Sequence, residues 1–293
     1  MNNQPLISII MNCFNGEKYL KEAIDSIINQ TYNNWEIIFW DNLSTDNSAT
    51  IVSQYNEPRI RYYQSEKHTL LGEARNYALN KANAEWLAFL DVDDVWHEDK
   101  LEKQVDLINS NNKEIGFIYG RCEVIYSNFP RKNHISKNGE LLPAGDIFSQ
   151  LLLENFVPFV SAIVNKEKFE NLGGFDRKLQ HSTDYSMFLK LAESYQVAVL
   201  QDVCCQYRVH ETNLTNDLRI QGELESIAIV RSFLPQRDVK NALIYHQTGL
   251  AIAYLREGEL VNFFKALLKK GVLYRFIIRS IHAFKNRVIS LLT

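Results

Sequence analysis

Short apolar runs that stop at polar turns alternate with stretches whose apolar residues recur every three to four positions through the first two thirds of this chain. Leu6 to Met11 reads as a strand opening into the polar turn Asn12-Cys-Phe-Asn-Gly16, and Leu20, Ile24, Ile27 and Ile28 then mark one buried helical stripe. Glu36 to Trp40 and Ile60 to Tyr63 are the next predicted strands, the first ending in Asp41-Asn-Leu-Ser-Thr-Asp46. A helix over Leu71 to Leu79 packs Ala74 and Ala78. Trp86 to Leu90 is too short for a buried helix and reads as an interior strand, from whose carboxyl end Asp91, Asp93 and Asp94 emerge. A helix beginning at Val95-Trp-His-Glu-Asp follows, with Leu101, Val105 and Ile108 on its inner face, then a strand at Ile115 to Tyr119. From Arg121 to Pro143 a mixture of Ser, Asn, Pro, Gly and basic residues predicts an excursion of loops or a hairpin.

The alternation resumes with a helix over Ile147 to Leu153, a strand in the later part of Asn155 to Val164, a short helix over Lys166 to Asn171 and the turn Leu172-Gly-Gly-Phe-Asp176. His181-Ser-Thr-Asp184 precedes a helix carrying Phe188, Leu189 and Leu191, and Gln206 to His210 reads as an edge strand or its exit. Beyond Leu214 helical periodicity takes over, in segments marked by Leu224, Ile227 and Val230, by Ala242 and Ile244, and by Leu250, Ala253 and Leu255. The pattern predicts an α/β fold followed by a helical appendage.

Length and composition fit an ordinary folded protein with a sizeable core: 293 residues, 46% hydrophobic and 23% charged. A net charge of -3 argues against a general nucleic-acid binder. Four cysteines, Cys13, Cys122, Cys204 and Cys205, lack zinc-ligand spacing and fit reduced thiols in a cytoplasmic setting. No positively charged leader precedes the first apolar run, so no signal peptide is expected, and no apolar stretch reaches membrane-spanning length. The stretch from Val261 to Thr293 holds seven basic residues, among them Lys265, Lys269, Lys270, Arg275 and Arg279, and no acid. Projected as a helix it places Phe263, Leu267, Tyr274, Ile278, Ile281 and Leu292 on one side, although Gly271 is positioned to divide it in two. Such a segment suits the face of an anionic membrane, and equally its own domain or a second subunit.

The candidate chemistry lies at strand ends, where open α/β sheets place ligands. Asp91 and Asp93 can face one hard cation, or form a solvated acidic turn. Asp41 can accept from a ribose hydroxyl or a nucleobase N–H, while Asp46 fits a helix cap better. No glycine-rich fingerprint follows the first strand, which removes the main support for a nicotinamide or flavin enzyme. The Arg75 fork suits phosphate or the carboxylate cluster. Asp184 reads either as a helix-start charge or as a general base, His210 as a satisfied polar residue or a contact for metal or phosphate, and Arg208 as a competing phosphate contact.

Taken in order, Ser8-Ile-Ile-Met-Asn-Cys-Phe-Asn-Gly16, Ser26-Ile-Ile-Asn-Gln-Thr-Tyr32, Asp41-Asn-Leu-Ser-Thr-Asp46, Ala74-Arg-Asn76, Leu90-Asp-Val-Asp-Asp94, Gly173-Gly-Phe-Asp176 and Thr183-Asp184 resemble the family 2 glycosyltransferases. The resemblance covers roughly Leu6 to His210. It implies a GT-A fold, with a Rossmann-like, mostly parallel sheet flanked by helices. Residues 1–213 would form the catalytic domain, 1–110 its nucleotide-sugar half and 111–213 its acceptor half, with 214–293 the helical appendage. The resemblance further implies an inverting, metal-dependent transfer from a nucleotide sugar, usually a UDP-sugar. In that scheme Asn12, Asn15, Asp41, Arg75, Asp91, Arg208 and His210 bind the donor, and Asp93, Asp91 and His210 hold Mg2+ or Mn2+. Asp184 is the base.

Two departures stand out: Asn42 and Leu43 where the family often has an acid and a glycine, and Thr183 where a glutamate is common. The Gln-x-x-Arg-Trp motif and spanning helices of processive members are missing, so one sugar is expected per event. The expected acceptor is a glycan or a lipid-linked glycan of bacterial surface polysaccharide assembly, at the inner face of the cytoplasmic membrane if the basic tail binds there. A homo-oligomer, a catalytically inactive nucleotide-sugar binder and a membrane-surface scaffold stay open.

Overall fold

The computed structural model of the chain describes residues 4–110, 114–127, 131–211, 213, 219–236 and 238–280. In β1 (Ile7–Cys13), Ile7, Ile9, Met11 and Cys13 join one apolar layer while Ser8, Ile10 and Asn12 lie on the opposite face, the alternation a pleated strand imposes. β2 (Trp35–Asp41) and β4 (Trp86–Phe89) flank β1 in parallel, with Ile10 opposite both Ile38 and Phe89, and β3 (Ile60–Gln64) continues the parallel half beyond β2. The sheet then changes direction. β8 (Ile163–Asn165) runs antiparallel to β4 and to β6 (Ile115–Tyr126), and β9 (Gln196–Val209) lies parallel to β6. The two-residue strands β5 (Val95–Trp96) and β7 (His134–Ile135) pair antiparallel with β9 and β6. Among the described residues the main path is therefore β3-β2-β1-β4-β8-β6-β9-β5.

Helices α1 (Glu17–Ile28) and α4 (Lys100–Ser110) press Leu20, Ile24, Ile27, Leu101 and Val105 into the layer that holds Ile9, Phe39 and Ala88. Each side chain of this size taken fully from water contributes about 1.5–3 kcal/mol. On the other face lies α3 (Leu71–Leu79), with Ala74 and Ala78 buried, and α7 (Thr183–Ser194), whose Phe188 ring centre is 5.1 Å from that of Phe117. Short helices α2 (Ser48–Ser53), α5 (Phe148–Leu153) and α6 (Lys166–Asn171) complete the connections.

Three elements differ from the sequence expectation, each because a partner elsewhere overrides local pattern. The strand expected to stop at Tyr119 runs on to Tyr126, because β9 pairs with it along its length through register shifts at Gly120, Arg121 and Cys122. The piece read as Gln206 to His210 is the end of a 14-residue strand, Gln196–Val209, whose period is broken midway by Gln201 and Asp202. Val95 and Trp96 form a bridge to β9 instead of a helix start, and α4 begins only at Lys100.

Backbone contacts divide the chain into two units, Met1–Leu151 with Asn155–Asn213, and Leu152–Glu154 with Leu214–Thr293. The second contains α8 (Arg219–Ser232), α9 (Val239–Arg256), α10 (Leu260–Leu267) and a helical run over 272–280. Gly271, at φ 84°, separates the last two, so the single projection of the basic tail does not hold: Phe263 is buried against Ala251 and Val272, whereas Tyr274 and Ile278 are exposed. Residues 281–293, with Ile281 and Leu292, lie outside the described residues. No helix among the described residues is long and apolar enough to cross a membrane. All four cysteines are free and buried.

Lys100 is fully buried, its Nζ donating to Gln104 Oε1 at 2.7 Å and lying 4.0 Å from the Trp96 ring centre. Burial pushes its ammonium from 10.5 down to about 8, with Cys204 and Cys205 opposing. Between those two values the unfolded chain binds more protons than the folded one, so this residue's contribution to stability rises with pH across that window. Lys100→Met removes the dependence. The stability of the native chain relative to this variant, from urea denaturation, should increase by up to about 3 kcal/mol between the lower and upper ends of the window. A constant difference would show that Lys100 titrates alike in both states.

Candidate active site

The carboxyl ends of β2, β1 and β4 bring Trp40, Asn12 and Asp91 into one row, because Asn12 pairs with Trp40 and the β1–β4 register continues from Ile10 and Phe89 through the Leu90 N–H bond to Ile10 O. Asn12 Nδ2 and Trp40 Nε1 are both buried without a hydrogen-bond partner. Buried donors are nearly always satisfied, so a row holding two unsatisfied ones marks a place that suits a ligand with oxygen acceptors.

Arg75, from α3, closes this row. The residue is 5% exposed, and its guanidinium donates through Nη2 to Asp91 Oδ1 at 3.3 Å and through Nη1 to Thr183 Oγ1, and stacks 3.9 Å from the Phe159 ring centre. Its helix is locked at the required height by two glycines. A Cβ on Gly72 would lie 2.0 Å from Asp176 O, and Gly174, at φ 68°, lets Asn76 exchange two hydrogen bonds with the backbone of Phe175. The expected Arg75 contact with the carboxylate cluster is thus made, through Asp91. Burial pushes the Asp91 carboxyl up, Arg75 pulls it down, and the charges of Asp93 and Asp184 push it up again. Asp184, in the first turn of α7, accepts from Asn155 Nδ2 at 2.9 Å.

Asp93 faces a different neighbour. Its Oδ2 lies 2.9 Å from His210 Nε2 and 3.3 Å from Asn213 Nδ2, the latter also donating to Arg208 O. Among the described residues no three His, Cys, Asp or Glu side chains are grouped as a complete ligand set. The three residues expected to share a cation are therefore divided, Asp93 with His210 and Asp91 with Arg75. A carboxylate oxygen beside an imidazole nitrogen still fits a divalent cation that takes its other ligands from diphosphate and water. Asp94 is buried and accepts the Arg208 N–H at 2.8 Å; burial, then Asp93 and Asp91, drive its carboxyl well up.

Arg208, expected at a phosphate, is committed to the scaffold: Nε donates to Asp93 O at 2.8 Å, Nη2 meets Glu22 Oε2 at 2.6 Å, and the guanidinium lies over Tyr19. Asn15 is likewise occupied. Its Oδ1 accepts the Thr45 N–H at 2.8 Å, and at φ 56° it shapes the loop before α1. Asp41 is fully buried, with Oδ1 accepting from Ser44 N and Oδ2 from Tyr62 Oη, both at 2.7 Å; burial first, then this bond, raise the Tyr62 hydroxyl. Asp46 caps across loops as well as locally, accepting from Glu17 N and Ser48 N. The reading missed Asn155, Asn213 and Phe14. Phe14 was detectable: an aromatic inside a polar turn, it is half exposed, 4.2 Å from the His68 ring, whose Nδ1 lies 3.1 Å from Asn42 O.

The departures at Asn42 and Thr183 have physical reasons, whereas nothing in the structure explains Leu43. Asn42 is buried and clamps Thr69 from both sides, Nδ2 donating to Thr69 O at 2.9 Å and Oδ1 accepting from Thr69 N and Oγ1. An ionised aspartate could not donate to that carbonyl. Leu43, at φ 71°, sits in the left-handed region that glycine tolerates and other residues enter at a cost of about 1–2 kcal/mol. Thr183 offers Arg75 a neutral acceptor.

This mixed sheet with helices on both faces is shared with solved structures of other proteins. TarS 1-349 of S. aureus, solved in complex with UDP-GlcNAc, superposes with a TM-score of 0.63 at 19% identity, covering 92% of this chain and 78% of that one. The mannosyltransferase PcManGT from Pyrobaculum calidifontis, solved with GDP-Man and Mn2+, does so with 0.64 at 17% identity, covering 95% and 85%. The fold is GT-A-like, as expected. Residues 8–173 match the family described as Glycosyl transferase family 2, and the chain belongs to that family. The UDP-Glc:alpha-D-GlcNAc-diphosphoundecaprenol beta-1,3-glucosyltransferase WfgD of Escherichia coli is 30% identical over 215 residues, 72% of this chain and 80% of that protein. The putative teichuronic acid biosynthesis glycosyltransferase TuaG of Bacillus subtilis is 36% identical over 118 residues, 40% of this chain and 47% of its own.

The Asn42 clamp predicts that Asn42→Asp destabilises the chain by about 1–3 kcal/mol at neutral pH, because a buried carbonyl loses its donor and gains a carboxylate neighbour. Chemical denaturation measures it. An unchanged midpoint would mean the 68–69 loop is held by other contacts.

Proposed function

We propose that the chain transfers one sugar at a time from a nucleotide diphosphate sugar to an acceptor hydroxyl, with inversion at the anomeric carbon and Asp184 as the base. The observation that carries this reading is the double reach of Arg75. It ties Asp91, at the end of β4, to the first residue of α7, so that Asp184 comes within electrostatic reach of Asp91. One side chain thereby links a donor-side carboxylate to the helix that carries the later acid.

In the proposed reaction the acceptor oxygen attacks the anomeric carbon and the bond from that carbon to the diphosphate oxygen breaks. The acceptor proton passes to Asp184, and the nucleoside diphosphate departs. Asn155 holds the Asp184 carboxylate in one orientation, as a base must be held. Asn12 Nδ2 offers a donor to an oxygen of the nucleotide sugar, next to Asp91. Asp93 and His210 would hold a divalent cation, which supplies charge stabilisation to the departing diphosphate. Asp41 and Phe14 sit at the neighbouring strand ends, where the base is expected.

A UDP-sugar is supported by the E. coli relative, which uses UDP-Glc, and by TarS, solved with UDP-GlcNAc. The same relative's lipid-diphosphate acceptor, with the teichuronic acid role put forward for TuaG, supports a role in surface polysaccharide assembly.

Asp184→Asn should leave UDP binding intact and lower turnover by about 10²–10⁴-fold, read as sugar transfer or as slow donor hydrolysis. Undiminished turnover would remove Asp184 from the base role. Calorimetry with UDP should show binding that chelator weakens and Mn2+ or Mg2+ restores, and Asp93→Ala should bind equally with and without the ion. Equal affinities for the native chain in both conditions would exclude the Asp93–His210 seat.

A further inference from the structure

We propose that α10 and the helical run 272–280 form a surface that docks on an anionic lipid bilayer. Both helices already bury one apolar face: Phe263, Ala266 and Val272 pack with Ala251 of α9, and Tyr254, Leu267 and Phe276 close around them. Each carries a second apolar face turned outward. On α10 and just after it these residues are Val261 at 68% exposure, Phe264 at 61% and Leu268 at 86%, spaced to share one side of a helix. On the second run Ile277 is exposed with the two residues three and four positions before it, Tyr274 at 73% and Leu273, which places all three on one side of the helix.

Large apolar side chains grouped in this way mark an interaction surface, and the charge between them selects its partner. Lys265, Lys269, Lys270 and Arg279 are exposed along the same two segments, and Arg275 lies over the Tyr245 ring at 4.5 Å. No acidic residue occurs from Leu260 to Thr293, and the nearest acids in the chain, Glu257 and Glu259, precede the surface. A second copy of this chain docking through the same face would meet like positive charge. A bilayer bearing anionic headgroups supplies both missing partners, acyl chains for the apolar side chains and negative charge for the lysines, whose long stems reach the headgroup layer. Unlike an insertion of spanning length, this contact is reversible and depends on salt.

The test is co-sedimentation of the full chain with phosphatidylglycerol-containing vesicles and with pure phosphatidylcholine vesicles, without donor or acceptor, so that the result is independent of the transfer reaction. The chain should bind the anionic vesicles and lose binding at high salt. Lys269→Ala with Lys270→Ala should weaken binding by roughly 30-fold. Phe264→Ser with Leu268→Ser should abolish it while leaving the circular dichroism spectrum and UDP affinity unchanged. Equal binding to both vesicle types, no binding, or binding untouched by either pair of substitutions would overturn the proposal. So would a stable dimer in solution that the Phe264 and Leu268 changes dissociate.

Discussion

Arg75 lies where water scarcely reaches, and a buried guanidinium must be answered by partners or the fold pays a desolvation cost of several kcal/mol. Here the answer comes from three directions: a carboxylate on the strand side, a threonine hydroxyl on the helix side, and an aromatic face beneath. Because those partners belong to segments about a hundred residues apart in sequence, one side chain fixes the distance between two loops that no backbone ladder connects. The glycines at 72 and 174 serve this arrangement, since α3 can present Arg75 at that height only where its backbone touches the loop that leads into α7.

A second group of contacts performs the same task around the acidic turn. Asp94 and the Asp93 carbonyl are both bound by Arg208, which is anchored by Glu22 and Tyr19. The turn is therefore rigid on its buried side, and its mobile chemistry is left to the side chains of Asp91 and Asp93. Crowding acids at a strand end raises the proton affinity of Asp94, the one that is fully buried, and the Arg208 N–H that it accepts opposes that rise.

What could be read from the chain alone follows from the range of each interaction. Strands such as Trp86 to Phe89 and helices such as α1 declare themselves because burial on one or both faces writes a period into a few neighbouring residues. Strand β9 does not, since its polar interruptions are accommodated by register shifts in β6, a partner seventy or more residues away. The acids at strand ends were legible for the same local reason. Their partners were not: Asn155 for Asp184, Asn213 for Asp93 and Tyr62 for Asp41 are ordinary polar residues until the fold brings them near. Arg208 is the converse case: its neighbours in sequence give no sign of the acid and the carbonyl that it bonds in space.

The cross-loop bonds at the start of α1 carry a consequence for how this fold manages negative charge. In many nucleotide-binding sheets the first helix offers its free N–H groups to phosphate. In this chain Ser48 Oγ takes the Gly16 N–H and Asp46 takes that of Glu17, so the cradle is stoppered from within by the neighbouring loop. The start of α1 is thus closed to anions by the chain itself, which sets this sheet apart from those whose first helix holds a phosphate.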